Sequence, residues 1–220
     1  MKLLTAVWVG LCLTVSAVAQ NHTMEAPKPV TMMTGLGDLH HPVSTKNAEA
    51  QQFFDQGLRL IYAFNHDEAA RSFQKASELD PKLAMAYWGI AEAVGPNYND
   101  PASAERFKQA HDAIQKAVDL SSGAGNSERA YIAATAKRFP GDPKADLRKA
   151  AEDYRDAMRD VVKNFPDDLD AATLFAESGM NLHPWGLWHP DGTPEAGTEE
   201  IVATLESVIK RDPNHLGAIH

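Results

Sequence analysis

The 220-residue chain contains one cysteine, Cys12, and it lies inside the apolar N-terminal run. Removal of residues 1–19 leaves none, which excludes disulfides, a thiol nucleophile and thiolate-bound zinc. Positive charge is also scarce: 21 Lys and Arg stand against 30 Asp and Glu, a formal net charge of −9. That balance argues against nucleic acid and against an anionic membrane surface as partners. A Gly-rich phosphate loop, a Gly-x-Ser-x-Gly elbow and a His-Glu-x-x-His pair are all missing. With no catalytic motif, the expectation is a protein that is not an enzyme and takes no cofactor, unless a metal is held by loop histidines.

The one long apolar run is residues 3–15, after a basic Met1-Lys2 start and before the small-x-small site Ala17-Val18-Ala19. This pattern is a secretory signal peptide over residues 1–19, with Gln20 as the first mature residue. The run is short for a bilayer span. The expectation is therefore an exported protein, periplasmic or extracellular, with no stable membrane span after cleavage. Residues 20–44 are polar and hold prolines and methionines, and read as an extended leader.

From residue 45 the periodicity is helical. Phe53, Gly57, Leu60, Ala69, Phe73, Ala76 and Pro81 fall at the spacing of one helix–turn–helix unit, and Tyr87 and Ala91 follow Phe53 and Gly57 by 34 positions. Each position has a physical task. Gly57 is expected to face Ala69, where small side chains let two helices approach, with Phe53, Leu60 and Phe73 around that contact. Helices are expected over residues 45–63, from Asn65 to Leu79, and over 102–120, 127–139, 142–164, 169–181 and 199–210. Ser44 or Thr45 is the expected N-cap of the first, Asn65 with Glu68 forms a capping box for the second, and Thr198 caps the last. Asp-Pro recurs at Asp80-Pro81, Asp100-Pro101, Asp142-Pro143 and Asp212-Pro213, and reads as an N-cap followed by proline in the first turn.

On these residues the chain resembles a tetratricopeptide repeat protein. Gln56 departs from the pattern, standing where the family usually has Leu. The segments LHHPVST, YAFNH, AMAYWG, GPNYN, PWGLW and NHLGAIH further resemble a subgroup of longer exported bacterial repeat proteins. The resemblance implies an all-α fold, a right-handed superhelical array of antiparallel helix hairpins over residues 45–220, with a loop insertion at 183–198. Residues 214–220 start a further helix, so the array is expected to be truncated.

The resemblance also implies a concave groove lined by Gln51, Phe54, Leu58, Ile61, Tyr62, Met85, Trp88 and Glu92. Its apolar stripe has three readings: a site for a protein or peptide partner, a surface covered by residues 36–43, or a dimer contact. Protein or peptide binding is the expected function, and a metal-binding protein or metal-dependent enzyme is the alternative. For a metal, His40 and His41 with His66 are the candidate ligands, since imidazole is the commonest transition-metal ligand. Trp185 and Trp188 read as anchors of the 183–198 loop on the core, with stacking on a sugar or other ligand as the alternative.

Overall fold

The computed structural model describes residues 29–142 and 144–220. The expected signal peptide, Cys12, the first part of the expected leader and Pro143 lie outside them. Nine α-helices and no strand occur among the described residues: α1 (Ala48–Tyr62), α2 (His66–Leu79), α3 (Ala84–Val94), α4 (Ala104–Leu120), α5 (Asn126–Arg138), α6 (Leu147–Asn164), α7 (Leu169–Met180), α8 (Thr198–Arg211) and α9 (Leu216–Ile219). Each helix packs on the next along the chain apart from one break in sequence at the 183–198 loop, which α7 and α8 bridge by direct contact. α1 also meets α3, α3 meets α5, and α9 returns to touch α1 and α7. No described helix is long and apolar enough to cross a membrane.

The helix starts differ from expectation in one consistent way. At Asp80, Asp100, Asp142 and Asp212 the carboxylate accepts the N–H two residues on, at 3.1, 2.9, 2.9 and 3.0 Å. The aspartates therefore close short turns of their own. The helices begin at Ala84, Ala104, Leu147 and Leu216, and the N-caps are Leu83, Ser103, Asp146 and His215. Asn47, rather than Ser44 or Thr45, caps α1, accepting from Glu49 and Ala50. Thr45 instead donates to Asp80, and the Ser44 N–H donates to Glu128 on α5. Asn65 holds the N-cap position of α2 without a side-chain bond, and Glu68 pairs with Arg71, so no capping box forms. Gly197, at φ 92°, precedes α8 in place of Thr198.

The core is organised on Phe73. Its ring fills the space that a Cβ on Gly57 or Gly89 would enter, so glycine on α1 and glycine on α3 both admit it. The atoms nearest to a Cβ at Gly57 belong to the Phe73 ring, and Ala69 is buried. From Phe73 a run of ring contacts crosses the molecule: to Phe54 at 5.3 Å, Trp88 at 6.3 Å from Phe54, Tyr131 at 5.5 Å from Trp88, and His41 at 5.7 Å from Tyr131. Aromatic pairs at such separations add to the burial of their faces.

Candidate metal centre

The strap, residues 29–45, lies along α1 and is held there by its backbone. The Gln56 side chain accepts from the Met33 N–H at 2.7 Å and donates to the Thr31 carbonyl at 3.1 Å. Gln51 donates to the His41 carbonyl at 2.9 Å and accepts from the Val43 N–H at 3.0 Å. Asp55 accepts from the His41 N–H, and Arg59 donates to the Leu39 carbonyl at 2.8 Å. Gln56, the residue that departs from the repeat pattern, is therefore buried and used in full: it also donates to Ser72 at 3.0 Å. Val30, Leu36, Leu39 and Val43 pack against the core.

That arrangement closes the expected stripe. Phe54, Leu58, Ile61, Tyr62, Met85, Trp88 and Glu92 are all buried, and Gln51 is half-buried beneath the strap. The cover comes from the strap and from α5 and α7. Trp88 donates to Thr135 of α5 at 2.9 Å, and Tyr62 donates to Asp170 of α7 at 2.7 Å. Glu92 is neutralised by Arg138 at 2.6 Å, with Thr135 donating to it at 2.7 Å. An exposed apolar face is thus not what these eight residues present in the structure.

The strap carries His41 to the start of α7. Its Nδ1 lies 2.7 Å from Asp170 Oδ2. Asp168 is the N-cap of α7 and accepts from the Ala171 N–H at 2.9 Å. His41, Asp168 and Asp170 each offer one ligand atom such that all lie within 4.8 Å of one another. The segment before α9 adds His215, whose Nε2 stands 3.3 Å from Asp170 Oδ1. His215 is 4% exposed, and its Nε2 has no aligned hydrogen-bond partner. The hydroxyl of Tyr131, also buried, has none either. A cleft of about 900 Å³, lined by strap residues, Arg59, Asp168, Asp170 and His215, opens the cluster to solvent.

Electrostatics fix the charge states. Burial pushes the Asp170 carboxyl up, but His215, His41 and Tyr62 around it outweigh burial and hold it far below the usual carboxylate range. It sits in the first turn of α7, where the helix dipole also favours an anion. Burial pulls the His41 imidazole down, yet the hydrogen bond and charge of Asp170, with Asp168 and Asp55, leave its pKa above the ordinary value. Burial drives the Tyr62 and Tyr131 phenols well above theirs, so both remain neutral.

The other two expected ligands stand apart from this cluster. His40 is exposed and bonds to Asp55 at 2.7 Å. His66, in the first turn of α2, contacts the Phe64 ring, and its pKa is lowered by burial and then by Arg106 and Arg138. Asp168 and Asp170 were invisible as ligands in the sequence, being two of many carboxylates in an acidic chain. His215 was visible as one of nine histidines, but only folding sets it against Asp170. The tryptophan rings are not buried in the core: Trp185 is 79% exposed and Trp188 55%. Buried Leu182, and Thr198 donating to the Leu187 carbonyl at 2.8 Å, fasten that loop. No protein-family model and no curated protein matches the chain.

Proposed function

We propose that the chain binds a divalent first-row transition-metal ion through His41, Asp168 and Asp170, with His215 as a fourth ligand. The observation that carries this is the convergence of His41, Asp168 and Asp170 from two separate segments, with the buried His215 Nε2 from a third standing 3.3 Å from Asp170 Oδ1. A mixed imidazole–carboxylate set favours zinc, iron, manganese or nickel over calcium or magnesium, which take oxygen ligands. Asp170 and His41 would exchange their mutual hydrogen bond for bonds to the ion, and neutral Tyr62 would orient the Asp170 carboxylate. The test is metal content of the full chain, purified without a histidine tag and dialysed against zinc or cobalt. About one equivalent is expected, by analogy with other closed ligand sets. Asp170→Asn and the His41→Ala/His215→Ala double variant should lose it, while His40→Ala and His66→Ala keep it. A wild-type chain with no metal above background overturns the proposal.

The second reading is an exported tetratricopeptide-repeat scaffold that binds a protein or peptide. It is favoured by the way Gln51, Asp55, Gln56 and Arg59 hold an extended segment through its backbone. A partner would occupy the path of the strap, so binding requires the strap to leave. A synthetic peptide of residues 29–45 should bind in trans to a chain whose own strap is weakened by Leu39→Asp. A lack of binding would make the strap a fixed part of the fold and remove this reading.

A further inference from the structure

A second cleft, of about 1050 Å³, lies between the α3–α4 loop, α4, the start of α6, the end of α7 and the loop that follows. Its walls are apolar and aromatic, formed by Phe107, Leu147, Tyr154, Leu182, Pro184 and Trp185. Leu147 is 53% exposed and Trp185 79% exposed, although both line a concavity. Only three described non-glycine residues have left-handed backbone, and two of them line this cleft: Ala102 at φ 60° and Trp185 at φ 59°. Both are held there by hydrogen bonds. Asp100 accepts from the Ala102 N–H at 2.9 Å, and the Tyr98 hydroxyl accepts from the Trp185 N–H at 2.8 Å. The Trp185 and Tyr98 rings meet at 5.2 Å. Strained backbone that is held by its surroundings clusters at ligand sites.

The polar groups of the wall define what would fit. Its cations are already matched: Lys108 with Asp112, Arg138 with Glu92 and Arg148 with Glu152. An anionic ligand would find no unpaired cation among the described residues of the wall. The wall's carboxylates are engaged, Asp100 by the Ala102 N–H and Arg106, Asp112 by Lys108 and Asp142 by the Lys144 N–H, and two neutral acceptors stand beside them. Asn181 donates through Nδ2 to Glu177 at 3.3 Å, which fixes its amide orientation, and its buried Oδ1 has no partner. His111 Nδ1 lies 2.7 Å from the Phe139 carbonyl, which can only accept, so Nδ1 carries a proton, and Nε2 is the ring nitrogen left to accept when the imidazole carries only that one. We propose that this cleft is a binding site for an uncharged, flat aromatic small molecule that carries a hydroxyl or N–H donor. The ring would lie against Trp185 and Leu147, and the donor would satisfy Asn181 or His111. This site is distinct from the metal cluster and independent of it.

The probe is 2-naphthol, with 2-methoxynaphthalene as the same ring lacking the donor. Each is titrated into the full chain and followed by the NMR signals of the Trp185 indole and the Leu147 methyls. Saturable one-to-one shifts with 2-naphthol are expected, with at least about tenfold weaker binding of 2-methoxynaphthalene, a difference of roughly 1.4 kcal/mol. Trp185→Ala and Leu147→Asp, both at exposed positions, should each weaken 2-naphthol by about tenfold without changing the melting temperature. Either Asn181→Leu or His111→Phe, according to which of the two accepts from the ligand, should erase the preference between the two probes. The absence of a saturable shift up to about 1 mM overturns the site. So do shifts that survive both surface variants, and equal binding of the two probes overturns the donor assignment.

Discussion

His41 and Asp170 are 129 positions apart in the chain, and their side chains are 2.7 Å apart in the fold. This one link ties the strap to α7, and Asp170 in turn accepts from Tyr62 of α1 and faces His215. Asp170→Asn in the metal-free chain would leave several buried donors poorly matched around a group that cannot carry the charge. The expected loss is about 3 kcal/mol, the range for removing one partner of a buried pair. Urea unfolding in the presence of chelator measures it. A loss below about 1 kcal/mol would mean that the strap is held by its other contacts, the backbone bonds to α1, the bonds to Glu128 and Asp80 and its apolar packing, without this pair.

The strap and the cluster differ in how far the sequence reveals them. Helices α1 to α3 follow from the positions of Phe53, Gly57, Phe73 and Ala91, because helical period and small-residue contacts are local properties. The Asp-Pro pairs mark breaks correctly, but a carboxylate that can bond two residues on makes its own turn before it caps a helix. Asp170 carries no local mark at all. It sits in an acidic chain whose carboxylates look like a solvated face, and its partners come from residues 41, 62 and 215. The apolar stripe was legible as apolar, and its cover by residues 36–43 was one of three readings of it; the share of α5 and α7 in that cover was not legible, since Thr135 and Asp170 carry no local mark of their partners.

The metal-free chain should have a stability optimum bounded by these two groups. Asp170 has a folded pKa depressed below its unfolded value of about 3.9, so its stabilisation is present above that value and lost as pH falls through the folded pKa. His41 has a folded pKa raised above about 6.5, so its stabilisation is complete below that value and lost as pH rises through the folded pKa. Stability should therefore decline on the alkaline side above about pH 6.5. His41→Gln should flatten that alkaline limb while leaving an acid limb. Denaturant midpoints across pH, with chelator throughout, report the difference. An unchanged alkaline limb in the variant would assign it to another group.

Phe73 requires both of its glycines. A Cβ at Gly57 would stand 2.7 Å from the ring, and one at Gly89 closer still. Phe73 is 0% exposed, so the ring has no solvent side to move into. Alanine gains about 1 kcal/mol of helix propensity over glycine. Overpacking costs about 1–3 kcal/mol and the contact here is severe, so net destabilisation is expected, larger for Gly89→Ala than for Gly57→Ala. Phe73→Leu alone removes ring volume and should destabilise too. Combined with Gly89→Ala, the two losses should be less than additive by at least about 0.5 kcal/mol, as for residues in direct contact. Strict additivity in a double-mutant cycle would show that the helices separate rather than collide.

Glu92 and Arg138 form a second buried charge pair among the described residues, on α3 and α5, at 2.6 Å and exposed by no more than 6%. Burial pushes the Glu92 carboxyl up, and Arg138, Thr135 and Tyr154 offset this only in part, so its pKa stays above the ordinary value. The Arg138 guanidinium is disfavoured by burial but held charged by Glu92. The guanidinium also lies 5.0 Å from the Tyr154 ring centre and donates to the Pro96 carbonyl, so it joins α3, α5, α6 and the α3–α4 loop. Removing one charge strands the other. Arg138→Met should cost about 3–5 kcal/mol, because Glu92 is left buried and unmatched. Replacing both, as Glu92→Leu with Arg138→Met, should cost less than Arg138→Met alone, since a well-filled apolar pair needs no desolvation. The comparison is made by urea unfolding of the two variants against the wild-type chain. If the double variant is the less stable, the hydrogen bonds from Thr135 and Tyr154 to Glu92, and not its charge, hold this layer together.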